Sequence, residues 1–188
     1  MIAKVYVSMT DAHSTCIVRT PSVTVTESSL GLHALRVRNP LAAQQALQRM
    51  FKVWPMVANG IVGADPEIAW LTPTEWALLG RSETLLERVQ AACQGLTFQL
   101  TDLSAGRRLW SIEGLDARAL LAKGCSIDTD ARVFPVGVCA QTLLAQVPVL
   151  IIPRDGAESV PRFSLVGDLS HAGHLRAWFD DASLEYRL

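Results

Sequence analysis

Two stretches of this sequence pass through the same order of element types, and that doubling constrains the fold more than any single motif. In the first, Val23 and Val25, then Leu35 and Val37, alternate with polar residues as half-buried strands do. Asn39 can cap a helix, and Pro40 fits a first helical turn, where its missing N–H loses no hydrogen bond. Leu41, Ala43, Ala46, Leu47 and Met50 then share one helical face, with Gln44, Gln45, Gln48 and Arg49 outside. Residues 66–80, PEIAWLTPTEWALLG, place apolar pieces at 68–71 and 76–79 around Thr72-Pro73-Thr74-Glu75, which predicts a hairpin or two consecutive strands. Ser82 with Glu83 opens a second helix, striped by Leu85, Leu86, Val89, Ala92 and Cys93 and ended by Gly95.

The second stretch repeats this order. Residues 109–113 read as a strand, Gly114-Leu115-Asp116 as a turn with a capping Asp, and residues 117–122 as a short helix closed by Gly124. Strands follow at 147–152 and 162–166, and Ser170 caps a helix striped by Leu175, Trp178, Phe179 and Ala182. RVRNPLAAQQALQRM (36–50) thus lines up with SIEGLDARALLAKGC (111–125), and EWALLG with RFSLVG, each of the latter followed by a helix. Identities are few, so the signal is the repeated order. Each helix needs a sheet face to cover its stripe, which makes a tandem β-α-β-β-α-β unit the economical reading. The expected fold is α+β: one domain over 23–188, built of two pseudo-symmetric α/β repeats at about 23–95 and about 96–188. Residues 1–22 mix Ser, Thr, Asp and His and are expected as an extended or loosely held N-terminal arm.

Composition narrows the function. Apolar residues make up 49% of the 188, enough for a substantial core, while 17 Lys and Arg against 18 Asp and Glu leave a net charge of -1. With no basic surplus, nucleic acid is a poor partner. Low charge suits a protein that buries surface against another chain. The longest apolar run in the C-terminal half, residues 147–152, is far short of a membrane span and contains Pro148. Nothing near Met1 has the length of a signal-peptide core, and the expected location is the cytoplasm. Cys16, Cys93, Cys125 and Cys139 form no C-x-x-C pair, which argues against structural zinc and, in a reducing compartment, for apolar packing.

Candidate chemistry is sparse. His171 and His174 could reach a metal from one helical face but lack a third ligand, and His13 and His33 have no carboxylate to orient them as bases. Asp128 with Asp130, and Asp180 with Asp181, read as solvated charge in a loop and at a helix end. Lys123 could lower the thiol pKa of Cys125 and make it nucleophilic. Nucleotide-binding glycine loops and nucleophile elbows do not occur. Of five tryptophans, Trp76 and Trp178 are expected in the core. Trp54, in the loop Phe51-Lys52-Val53-Trp54-Pro55-Met56, is the candidate for a partner contact together with Met56.

Several motifs resemble the gamma subunit of heterotetrameric sarcosine oxidase. They are Asp102-Leu103-Ser104; Gly114-x-x-Ala117-Arg118; Leu121-Ala122-Lys123-Gly124-Cys125-x-x-Asp128; and Phe134-Pro135-x-Gly137-x-Cys139-Ala140-Gln141-Thr142. Phe163-Ser164-Leu165, then Ser170 and Leu175-x-x-Trp178, and in the first half Trp70-Leu71 with Glu75-Trp76, are also similar. The likeness extends over about residues 23–182. It implies a fold related to the folate-binding domain of glycine-cleavage aminomethyltransferases, in agreement with the doubling found above.

The resemblance also implies a function. Such oxidases convert sarcosine to glycine, pass the methyl-derived carbon to tetrahydrofolate and form hydrogen peroxide. Their FAD, FMN, NAD and folate sites belong to the alpha and beta subunits and zinc to delta. The gamma chain packs on alpha as a non-catalytic accessory, so no catalytic, cofactor-binding or metal residue is carried over to this sequence. An accessory chain of a related N-methyl amino acid dehydrogenase, or a free-standing folate-binding one-carbon protein using Cys125 or Asp128, are the alternatives. Lys123-Gly124-Cys125 is similar to the Lys-Gly-Cys motif of folate-dependent iron-sulfur maintenance proteins, but those continue with an aromatic, a Gly and a Gln, where Ser126-Ile127-Asp128 stands here.

Overall fold

The computed structural model describes residues 14–80, 84–154 and 160–187. His13, Ser82 and Glu83 lie outside them, as does most of the expected arm. The chain divides into two compact units, 30–105 and a second that joins 14–29 to 106–187. That division differs from the one read in the sequence near residue 95, because strand pairing rather than repeat length sets it.

In the N-terminal unit the strands are β3 (Leu32–Val37), β4 (Ile61–Gly63), β5 (Glu67–Thr72), β6 (Glu75–Leu79) and β7 (Phe98–Asp102). They lie in the order β4-β5-β6-β3-β7, each pair antiparallel. Helices α1 (Pro40–Phe51) and α2 (Leu85–Ala92) cover one face. Asn39 caps α1 as its chemistry suggests, its side-chain oxygen accepting from the Ala42 N–H at 3.2 Å. Ala43, Leu47 and Phe51 of α1, Leu85 and Val89 of α2 and Cys93 at its C-cap meet Leu35, Val37, Ile68, Trp76 and Leu78 from the sheet. The expected stripes are narrower than drawn, since Leu41 and Leu86 are exposed.

The C-terminal unit has the same plan with two strands from the start of the chain. Its elements are β1 (Thr15–Arg19), β2 (Thr24–Ser28), β8 (Arg107–Glu113), β9 (Ala140–Leu144), β10 (Val147–Arg154) and β11 (Arg162–Asp168), with α3 (Ala117–Ala122) and α4 (Ala172–Ala182). The order β9-β10-β11-β8-β2-β1 matches the other sheet strand for strand as far as β2, which stands beside β8 where β7 stands beside β3. The expected arm therefore includes an integral strand, β1, whose Val18 is buried in the core. Ser170 does not cap α4: it lies in a 3-10 turn, Leu169–His171, and the residue at the helix cap is His171. Asp116 holds the cap position of α3 without a side-chain bond to it.

Candidate functional site

Trp54 is not a surface residue. The backbone at Lys52 turns through positive φ just after α1, and the Trp54 indole enters the core, 6.2 Å from the Phe51 ring and 5.5 Å from Trp76 by centroids. Only 4% of it is exposed, so it offers nothing to a partner. A loop tryptophan flanked by Val and Pro carries no pattern that separates an outward ring from an inward one, which is why the sequence misplaced it. Met56 is open, with its sulfur accepting from Gln44 Nε2 at 3.2 Å and Gln48 Nε2 at 3.5 Å. Val53, Val57 and Leu41 are exposed as well. Trp76 lies in the core, and Trp178 is half-buried against the core of the C-terminal unit.

The titratable candidates are engaged one by one. Lys123 donates to the Ala182 carbonyl, pairs with Glu185 at 2.6 Å and sits 4.6 Å over the Tyr186 ring. Its charge is thus committed to the C-terminal turn, and Cys125 is buried in the core, bridged to Leu144 of β9. Asp128 accepts from the Asp130 N–H at 2.9 Å, and Asp130 is forked by Arg132 at 2.9 and 3.1 Å. The Arg132 side chain and amide hold the Asp130 carboxyl down at about 2. His174 Nε2 donates to the Ala145 carbonyl at 3.1 Å, whereas His171 Nδ1 faces Ser170 Oγ at 3.5 Å, so the two do not converge. Asp180 pairs with Arg187. His33 Nδ1 is enclosed without a hydrogen-bond partner among the described residues. Across from it, Asp102 is held below the usual carboxylate range, chiefly by the Ser104 hydroxyl. Among the described residues, no three His, Cys, Asp or Glu side chains gather as metal ligands.

A buried charge escaped the sequence reading. Glu27 of β2 is 5% exposed, and its carboxylate accepts from Arg176 Nε and Nη2 of α4 at 2.7 and 2.6 Å and from Trp110 Nε1 of β8 at 3.1 Å. Arg108 approaches at 3.7 Å. The signal was present, since Glu27 shares the alternation parity of Val23 and Val25 and so falls on a core-facing position. Arg176 is 54% exposed, which makes this a half-open ion pair rather than an isolated buried charge.

With the geometry in place, comparison with known proteins is decisive. A profile of the sarcosine oxidase, gamma subunit family matches residues 38–185. The chain belongs to that family. The "Sarcosine oxidase subunit gamma" of Corynebacterium sp. (strain U-96) is 33% identical over 131 residues, 69% of this chain and 61% of the relative. That of an Arthrobacter sp. is 33% identical over 135 residues, 70% and 64% respectively. The chain thus spans a little under two thirds of the curated relatives it matches. A chain of the heterotetrameric sarcosine oxidase from Corynebacterium sp. U-96, solved with pyrrole 2-carboxylate, superposes with a TM-score of 0.80 at 28% identity, covering 91% of this chain and 88% of that one. The glycine cleavage system aminomethyltransferase T of Bartonella henselae gives 0.59 at 15% identity over 81% and 44%, and so shares the fold.

The residues that carry the family likeness build the fold. Asp102-Leu103-Ser104 is a clasp: Asp102 Oδ1 accepts from the Ser104 amide, the Leu32 amide donates to Ser104 Oγ, and Leu103 N donates to the Leu32 carbonyl, all within 2.9 Å. Gly114, at φ 141, runs against the Ser22 carbonyl of the β1–β2 hairpin, where a side chain would clash. Ala117 is fully buried, and the Arg118 guanidinium lies 5.1 Å over the Phe163 ring. Gly124 leaves room for Trp178: a Cβ there would stand 2.5 Å from the indole Cζ2. Trp70 stacks on Trp76 at 6.1 Å, and Glu75 pairs with Arg36 at 2.9 Å.

Proposed function

We propose that this chain is the non-catalytic gamma subunit of a heterotetrameric sarcosine oxidase. In this reading it packs on the alpha subunit, and through it meets beta and delta, in a cytoplasmic complex that demethylates sarcosine to glycine. The one-carbon unit passes to tetrahydrofolate, and oxygen is reduced to hydrogen peroxide. FAD, FMN, NAD, tetrahydrofolate and zinc sit on the other subunits. The observation that carries the reading is the superposition on a chain of the Corynebacterium oxidase along nine tenths of the sequence. The use of the family's motif residues in packing supports it, since side chains spent on cores and turns suit a scaffold. Cys125 and Asp128, the residues a free-standing folate enzyme would use, are instead a core thiol and a turn acceptor.

Met56, with Val53 and Val57 beside it, is the proposed contact with alpha. Co-expression with a tagged alpha subunit is the test. The chain should co-purify with alpha, be less soluble without it, and lose at least tenfold in recovery when Met56→Glu places a charge in the contact. A stable monomer that ignores alpha, sarcosine turnover by the chain without any flavoprotein, or micromolar binding of a reduced folate to the chain alone would each defeat the proposal.

A further inference from the structure

Residues 14–29 belong to the C-terminal unit although residues 30–105 separate them in sequence from the rest of it. They supply two of its six strands and bury Val18, Val23 and Val25 in its core. The place they occupy has three complementary parts. β8 presents a ladder that pairs with β2 from Thr24↔Glu113 to Ser28↔Leu109. Gly114 leaves the gap through which the hairpin backbone passes at Ser22, and the Asp116 amide donates to the Ser22 carbonyl at 3.3 Å. Arg176, reaching from α4, and Trp110, from β8, converge on the Glu27 carboxylate. The hairpin closes its own turn, with Thr20 N donating to the Val23 carbonyl at 2.9 Å and Val23 N to Thr20 Oγ1 at 3.0 Å.

We propose that this seat is a peptide-binding site, specific for an extended strand pair that bears a carboxylate, and that residues 14–29 are its resident ligand. The backbone ladder is blind to sequence. Selectivity comes from the forked Arg176–Glu27 pair, whose geometry a neutral amide cannot reproduce because it presents only one acceptor oxygen. The covalent connection through Ser29, Leu30 and Gly31 adds effective concentration to the contacts these residues make themselves, Leu30 being buried and the Gly31 carbonyl accepting from the Gly80 amide at 2.9 Å.

The test uses the full-length chain with a site-specific protease sequence inserted between Ser29 and Leu30, cut after folding. Circular dichroism checks that the nicked chain keeps its structure with the N-terminal fragment still seated. A fluorescent synthetic peptide of residues 14–29 is then added in excess as the probe, and its exchange with the seated fragment is followed. The expected result is saturable binding of the native peptide and at least tenfold weaker binding of the Glu27→Gln peptide. In chains carrying Arg176→Gln the two peptides should bind alike. A folded nicked chain that takes up no peptide, or one that binds the native and Glu27→Gln peptides equally well, overturns the proposal.

Discussion

Gly124 lacks a side chain because the Trp178 ring and the turn at Ala145 already fill the space, the Ala145 amide donating to the Gly124 carbonyl at 3.0 Å. Gly124→Ala should cost about 1–3 kcal/mol through overpacking, read as a lower urea midpoint at unchanged m-value. Charge gives a second residue-scale prediction. The Asp130 carboxyl is depressed to about 2 by Arg132, so its contribution is present above the unfolded value of 3.8 and is lost as the pH falls toward 2. Arg132→Ala should return Asp130 toward 3.8 in an NMR titration of its side-chain carbon. It should also lower stability slightly at neutral pH, the pair being exposed, and flatten the acid limb between pH 4 and pH 2 by the same small amount.

At the scale of elements, the internal strands and helices were legible and the edges were not. Residues 117–122 were read as a helix and α3 spans them. Residues 68–71 and 76–79 became β5 and β6, apolar runs joined by a tight Pro73-Thr74 turn, the second buried along its length and the first buried at Ile68 and Ala69. The four strands that the pattern did not announce, β1, β4, β7 and β9, are the four sheet edges. An edge strand has one neighbour and buries only part of its surface, so its alternation is faint, as the half-exposed Phe98–Asp102 shows. Sequence reading also has no means of seeing that β2 pairs with β8 rather than with the β3 that follows it, since pairing across a long separation leaves no local mark. Caps do leave one. Asn39→Ala should destabilise the N-terminal unit by about 1 kcal/mol, while Asp116→Ala, whose side chain makes no cap bond, should cost much less; paired thermal melts would show the contrast.

For the whole molecule, the doubled plan was readable from the order of elements, whereas the interleaving of the chain was not. Two sheets with matching strand order are completed differently: β7 follows its own helices, and β2 precedes the β8 strand and both helices of the unit it completes. Removal of residues 14–29 should therefore perturb the unit that β2 joins through β8 and leave 30–105 unchanged. The Trp110 indole N–H resonance should shift in the deletion variant, where its bond to Glu27 is lost, and return when the 14–29 peptide is added. Trp76, enclosed by Trp54 and Trp70, should keep its native shift.

Interleaving also sets a timetable for the ribosome. The hairpin leaves the exit tunnel long before β8 and α4 have been made, and at about 5–20 residues per second the wait is on the order of ten seconds. Through that interval Val18, Val23 and Val25 travel unsheltered on a nascent polypeptide, a natural target for chaperones that hold emerging chains.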